Sequence, residues 1–86
     1  MRIKNYMEDV VFMMIDDVLR SISFECCPKC VMDIAAIALN ELPSEYVVTD
    51  VGEVYMKVKN LQSQFEADVI AAITKAAEKV KKNPRH

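Results

Sequence analysis

Apolar positions along this chain keep a helical step over three stretches, separated by short polar or proline-marked breaks. In the first stretch Met7, Val10, Val11, Met14, Ile15, Val18, Leu19 and Ile22 form one broad stripe, with Asp9, Asp16 and Arg20 opposite. Asn5 precedes the stripe and Glu8 follows three residues on, which predicts a helix opening at Asn5 with a capping box. Phe12 lies at the stripe's edge and Met13 sits among the polar positions. These two bulky side chains either form a second contact surface or are ordinary, partly exposed apolar residues.

The second stretch starts at Pro28, which suits the first turn of a helix because its missing N–H is not needed there. It runs to about Glu41, ahead of Leu42-Pro43. Val31, Met32, Ile34, Ala35, Ala36, Ile37, Ala38 and Leu39 wrap it nearly all round, so this helix is predicted to lie buried at the centre. Asp33 and Asn40 are its interior polar residues. A seven-residue spacing puts them on one face, about 10 Å apart along the axis. Such a pair needs partners, either backbone groups at the loops or a ligand or metal.

Residues Pro43 to Val48 read as a loop, extended at Tyr46-Val47-Val48. Thr49 or Asp50 is the expected cap of a third helix, with Glu53 completing a second capping box. From there Val51, Val54, Val58, Leu61, Phe65, Val69, Ala72, Ile73, Ala76 and Val80 stay nearly in phase. A straight helix of that length would run about 45–50 Å, against roughly 30 Å for a globule of this size. It therefore either kinks near Lys59-Asn60 or overhangs to pack on a second subunit. Its early 3-4-3-4 steps resemble a coiled-coil seam. The fold class expected is all-α: a single helical domain over residues 1–86, with a flexible tail over about 82–86, whose helices pack into a homodimer.

Composition sharpens this picture. The chain has 86 residues, of which 52% are apolar, with one glycine and no tryptophan. That is too apolar for disorder and rich for a lone small domain, which again favours a partner subunit. The net charge is −2. Lys75, Lys79, Lys81, Lys82 and Arg85 collect near the C-terminus, where they complement a helix dipole. This pattern argues against nucleic acid as a partner. No stretch is long and apolar enough for a membrane, and the charged first turn does not read as a secretory signal.

Three cysteines, Cys26, Cys27 and Cys30, crowd the start of the second helix. Cys27-x-x-Cys30 is a metal-ligand spacing and Cys26 adds a third thiol, so all three are candidate metal ligands and zinc is the expected cofactor. An odd, clustered set fits a reducing cytoplasm better than a disulfide scaffold. A structural zinc takes four ligands. The fourth stays open among Asp33, Glu25, water and a thiolate of a partner chain; His86, at the end of the chain, is not expected to serve. Buried apolar cysteines and redox chemistry are the alternatives. No glycine-rich phosphate loop or His-x-x-x-His pair is present, and no histidine is placed to activate a serine. An enzyme is not expected.

Lys4-Asn5-Tyr6-x-x-Asp9-Val10-Val11, then Cys27-x-x-Cys30-x-x-Asp33-Ile34-x-Ala36-x-Ala38-Leu39-Asn40, then Leu42-Pro43-x-x-Tyr46-Val47, Thr49 and Gly52-Glu53 together resemble the late competence development protein ComFB family. The resemblance covers nearly the whole chain, and the middle stretch is its most specific part. Ser44 stands where the family often has a second proline. Cys26 and Cys27 are adjacent where the family often separates them by one residue. The resemblance implies an all-α cytoplasmic homodimer with zinc on the cysteine cluster. It also implies a regulatory role, since some members resemble receptors for cyclic dinucleotides, chiefly cyclic di-GMP.

The residues are compatible with such a ligand. Lys4 and Asn5 lie at a helix N-terminus, where free N–H groups favour phosphate. Tyr46 and Thr49 lie at the approach to the next helix. Glu8 either accepts from a guanine edge or closes the capping box. The plainer reading of Lys4 and Asn5 is a solvated lysine and an ordinary cap. A protein-interaction adaptor held together by zinc is the competing function, with a downstream protein that the sequence does not identify.

Overall fold

Asn5 ends a strand and caps a helix at once. Its backbone is extended (φ −86°, ψ 101°), and its Oδ1 accepts the N–H of Met7 at 3.2 Å. That bond satisfies one of the donors a helix start leaves without an internal partner. The computed structural model describes residues 2–25, 27–48 and 63–83. In chain order its elements are β1 (Ile3–Asn5), α1 (Tyr6–Ser21), α2 (Pro28–Glu41), β2 (Tyr46–Val48) and α3 (Ser63–Lys82).

The predicted stripe of α1 forms the core on this side: Met7, Val10, Val11, Ile15, Val18 and Leu19 are buried, and Tyr6 joins them. Met14 packs at the margin, while Ile22 is exposed. The helix ends in a tight turn. Ser23 takes a left-handed conformation (φ 55°), its N–H bonds Arg20 O at 3.1 Å, and Phe24 N–H bonds Leu19 O at 2.9 Å. Two crossed bonds of this kind satisfy the last carbonyls and fold Phe24 back against the core.

The helix α2 begins at Pro28 and stops at Glu41, because Leu42 turns extended ahead of Pro43. The expectation that α2 is buried all round is corrected. Ile34, Ala35 and Ala38 are buried, Val31, Ile37 and Leu39 are partly buried, and Met32 is 58% exposed. Among the described elements the helix packs on α1 and α3 from one side, and Lys29, Met32 and Ala36 on its other side are exposed. Its most extensive packing among the described elements is with α3, which buries Val69, Ala72, Ile73, Ala76, Ala77 and Val80 as the phase of the pattern requires. Alanines on both helices let the two backbones approach closely.

The expected helical fold holds in the main, and the all-α expectation is corrected only by a small sheet. β1 and β2 form a two-stranded antiparallel sheet in the register Ile3↔Val48, Lys4↔Val47, Asn5↔Tyr46. Three residues a side are too few for a period-2 signal to stand out from a loop. The sheet is prolonged by Tyr6 N–H donating to Glu45 O at 2.7 Å. At the other end of the chain Lys82, expected in the tail, is helical. The Thr49-Asp50 cap, the early seam from Val51 to Leu61 and the kink expected near Lys59-Asn60 lie outside the described residues.

Candidate functional site

The cysteine pair sits where the chain enters α2. Cys27 is the N-cap, extended at φ −72° and ψ 166°, and its carbonyl receives Val31 N–H at 3.1 Å, the first bond of the helix. Pro28 and the helical turn after it then bring Cys30 back beneath Cys27, so the two Sγ atoms lie 3.6 Å apart. Cys27 is exposed and Cys30 partly buried. Cys27 makes no conventional capping hydrogen bond, yet its thiol is held below its ordinary range, first by the backbone N–H of Cys30 and next by the Cys30 side chain. A helix N-terminus favours a thiolate for the same reason that it favours any anion.

This donor pair fits zinc. Two sulfurs bound at about 2.3 Å in a tetrahedron lie roughly 3.8 Å apart, close to the separation here. Cys26 lies outside the described residues. Among the described residues no three or more metal-binding side chains gather, so neither Asp33 nor Glu25 joins Cys27 and Cys30. Glu25 instead lines an open groove of about 400 Å³ with Asp16, Arg20 and Phe24.

Asp33 points elsewhere. With Asn40 it lines a cavity of about 530 Å³ that Lys79, Val80 and Asn83 of the α3 end complete. The expected shared face of Asp33 and Asn40 is therefore real. The pattern did not reveal that α3 supplies the opposite wall, although Lys79 lay on its polar side. Lys79 Nζ also reaches Glu41 Oε1 at 3.5 Å, both ends exposed, so the pair contributes little.

The second candidate set lies around the sheet. The register sets Asn5 opposite Tyr46, with Lys4 beside them. Tyr46 is 67% exposed. Lys4 Nζ bonds Asp9 Oδ2 at 2.8 Å and lies 5.5 Å from the centre of the Tyr6 ring. Asn5 Oδ1 accepts both Met7 N–H and Glu45 N–H, so its role as a cap is plain. Glu8 is exposed and returns no hydrogen bond, leaving the capping box half made. Thr49 lies outside the described residues. Glu45 was missed in the sequence because its tie to Asn5 runs through its backbone, which no side-chain pattern reports.

The structure does not bring the two sets together. The sheet lies at the start of α1 and the cysteine loop follows its end, and the 16 residues between them span about 24 Å. No helix among the described residues is long and apolar enough to cross a membrane.

Comparison with known proteins places this architecture. The family model described as late competence development protein ComFB matches residues 4–84. The solved structure of the late competence protein ComFB from Bacillus subtilis superposes with a TM-score of 0.84 at 23% identity, over 96% of this chain and 92% of that one. No curated protein sequence matches the chain.

Proposed function

The chain belongs to the late competence development protein ComFB family, and from that premise we propose that it is a non-enzymatic regulatory protein, a zinc-containing homodimer that receives a cyclic dinucleotide, cyclic di-GMP before cyclic di-AMP. The observation that supports the receptor reading is the sheet register, which pairs Asn5 with the exposed Tyr46 where β1 runs into the N-terminus of α1, with Lys4 one position earlier in the strand. A guanine stacks on Tyr46, and a phosphate meets Lys4 and what remains of the first-turn N–H groups of α1, those of Tyr6 and Met7 being taken by Glu45 O and Asn5 Oδ1. Asn5 contributes as a donor through its amide nitrogen, because Oδ1 already serves two backbone groups. Glu8, exposed one turn on, accepts from the guanine edge. The phosphate competes with Asp9 for Lys4. Zinc, held by Cys27 and Cys30 with Cys26, ties the loop after α1 to the start of α2.

Calorimetry with cyclic di-GMP and cyclic di-AMP tests this on the wild type, Lys4→Ala and Tyr46→Ala, each checked for helicity and mass. Lys4→Ala should weaken binding about ten- to a hundredfold. Absence of heat with either nucleotide at high micromolar wild-type protein sinks the receptor reading. The second reading is a zinc-held adaptor without nucleotide. It is favoured by Phe12 and Met13, which stand 44% and 63% exposed on α1.

A further inference from the structure

The entry to α2 reads Cys27-Pro28-Lys29-Cys30, and each position has its own environment. Cys27 is the exposed N-cap, which a dissolved reagent can reach. Pro28 fixes the backbone between the two thiols in the first turn. Cys30 is partly buried and packs against the core. The two sulfurs are 3.6 Å apart. Closing that gap to a bond needs a shift of about 1.5 Å, within reach of side-chain rotation. An accessible thiol with a second one directly behind it, at the start of a helix, is the arrangement that dithiol exchange uses. Redox chemistry is one of the alternatives that the sequence leaves for these cysteines, and the local geometry for it is present.

We propose that Cys27 and Cys30 are a redox-active dithiol that closes to an intramolecular disulfide by exchange with low-molecular-weight disulfides. The Cys27 thiolate attacks one sulfur of the reagent, whose S–S bond breaks, and the first thiolate leaves. The Cys30 thiol, giving up its proton to solvent, then attacks Cys27 Sγ. The mixed disulfide breaks, the Cys27–Cys30 bond forms and the second thiolate leaves. The protein pair is oxidised by two electrons and the reagent is reduced to two thiols. This role stands apart from the metal reading and competes with it, because a closed pair no longer offers thiolate ligands.

Glutathione disulfide is the probe. The chain as purified, and again after chelation, is incubated with it, quenched by alkylation and read by mass and peptide mapping. Elemental analysis gives the metal content of the same samples. The wild type should lose about 2 Da, map as Cys27–Cys30 and release any bound metal in step. Cys30→Ser, checked for helicity, should stop as a glutathione adduct on Cys27. Cys27→Ser should react about tenfold more slowly at Cys30, the inner thiol. A chelated wild type that stays open overturns the proposal, as does a link that maps through Cys26. A chain that closes but never carried metal removes the zinc reading alone.

Discussion

Asn5 Oδ1 accepts the backbone N–H of Glu45 at 2.9 Å across forty positions of sequence. The same oxygen caps α1 through Met7 N–H, so one side chain both starts a helix and fastens the loop that leads into β2. Asn5→Ala loses both hydrogen bonds and should destabilise the fold by about 1–2 kcal/mol. Asn5→Asp keeps an oxygen in place and gains from the helix dipole, so it should recover most of that loss. Denaturant unfolding checks the pair. Equal stability of the alanine and aspartate variants would show that the oxygen matters less than its geometry implies.

Ser23 sits at the end of α1 with φ 55°, a left-handed conformation that glycine adopts without steric cost. The crossed bonds from Ser23 and Phe24 hold it there. Ser23→Gly should therefore raise stability by about 0.5–1 kcal/mol, the relief of strain exceeding the extra freedom of the unfolded chain. A lower melting temperature would mean that Ser23 contributes more than its backbone.

Much of the fold was readable because helix period and buried face coincide. The stripe from Met7 to Leu19, the Pro28 start, the Glu41 stop and the phase of Val69, Ile73 and Val80 all follow from spacing and from proline. The end of α1 was not, since the chain's single glycine is Gly52 and the turn is made by a serine. The sheet was not, because three residues carry no alternation and its ties run through backbone atoms. The open side of α2 was not, because an all-round apolar helix reads the same whether its own chain or another covers it. In the candidate sites, spacing placed Cys27 over Cys30 and Asp33 with Asn40. It did not say that Asp33 lines a cavity with α3 and does not join Cys27 and Cys30.

The Cys27 thiol is held low chiefly by Cys30 N–H and then by the Cys30 side chain. A depressed folded-state value means that the thiolate contributes stability above the unfolded thiol's value. That contribution is lost as pH falls through the folded one. In metal-free protein, alkylation of Cys27 should accordingly persist to lower pH than in the urea-unfolded chain. Cys30→Ser should move the profile only part of the way back, since the backbone N–H remains. The rate of iodoacetamide labelling at Cys27 against pH reads this, and coincident folded and unfolded profiles would contradict it.

Phe12 and Met13 turn away from the buried stripe of α1, and Met32 turns away from the core on α2. A chain this small and this apolar gains from covering such side chains with a second copy, and large apolar interfaces couple dissociation to unfolding. Light scattering of the wild type at micromolar concentration should give the dimer mass. Phe12→Asp and Met13→Asp should each shift it toward the monomer and lower the melting temperature, because a carboxylate buried at an interface without a partner is costly. Met32→Asp separates the two faces. If it breaks the dimer while the α1 variants do not, the partner covers the open side of α2, and Phe12 and Met13 are ordinary exposed residues. A monomer mass for the wild type would remove the dimer altogether, and the open side of α2 would then be solvent-facing in the working protein.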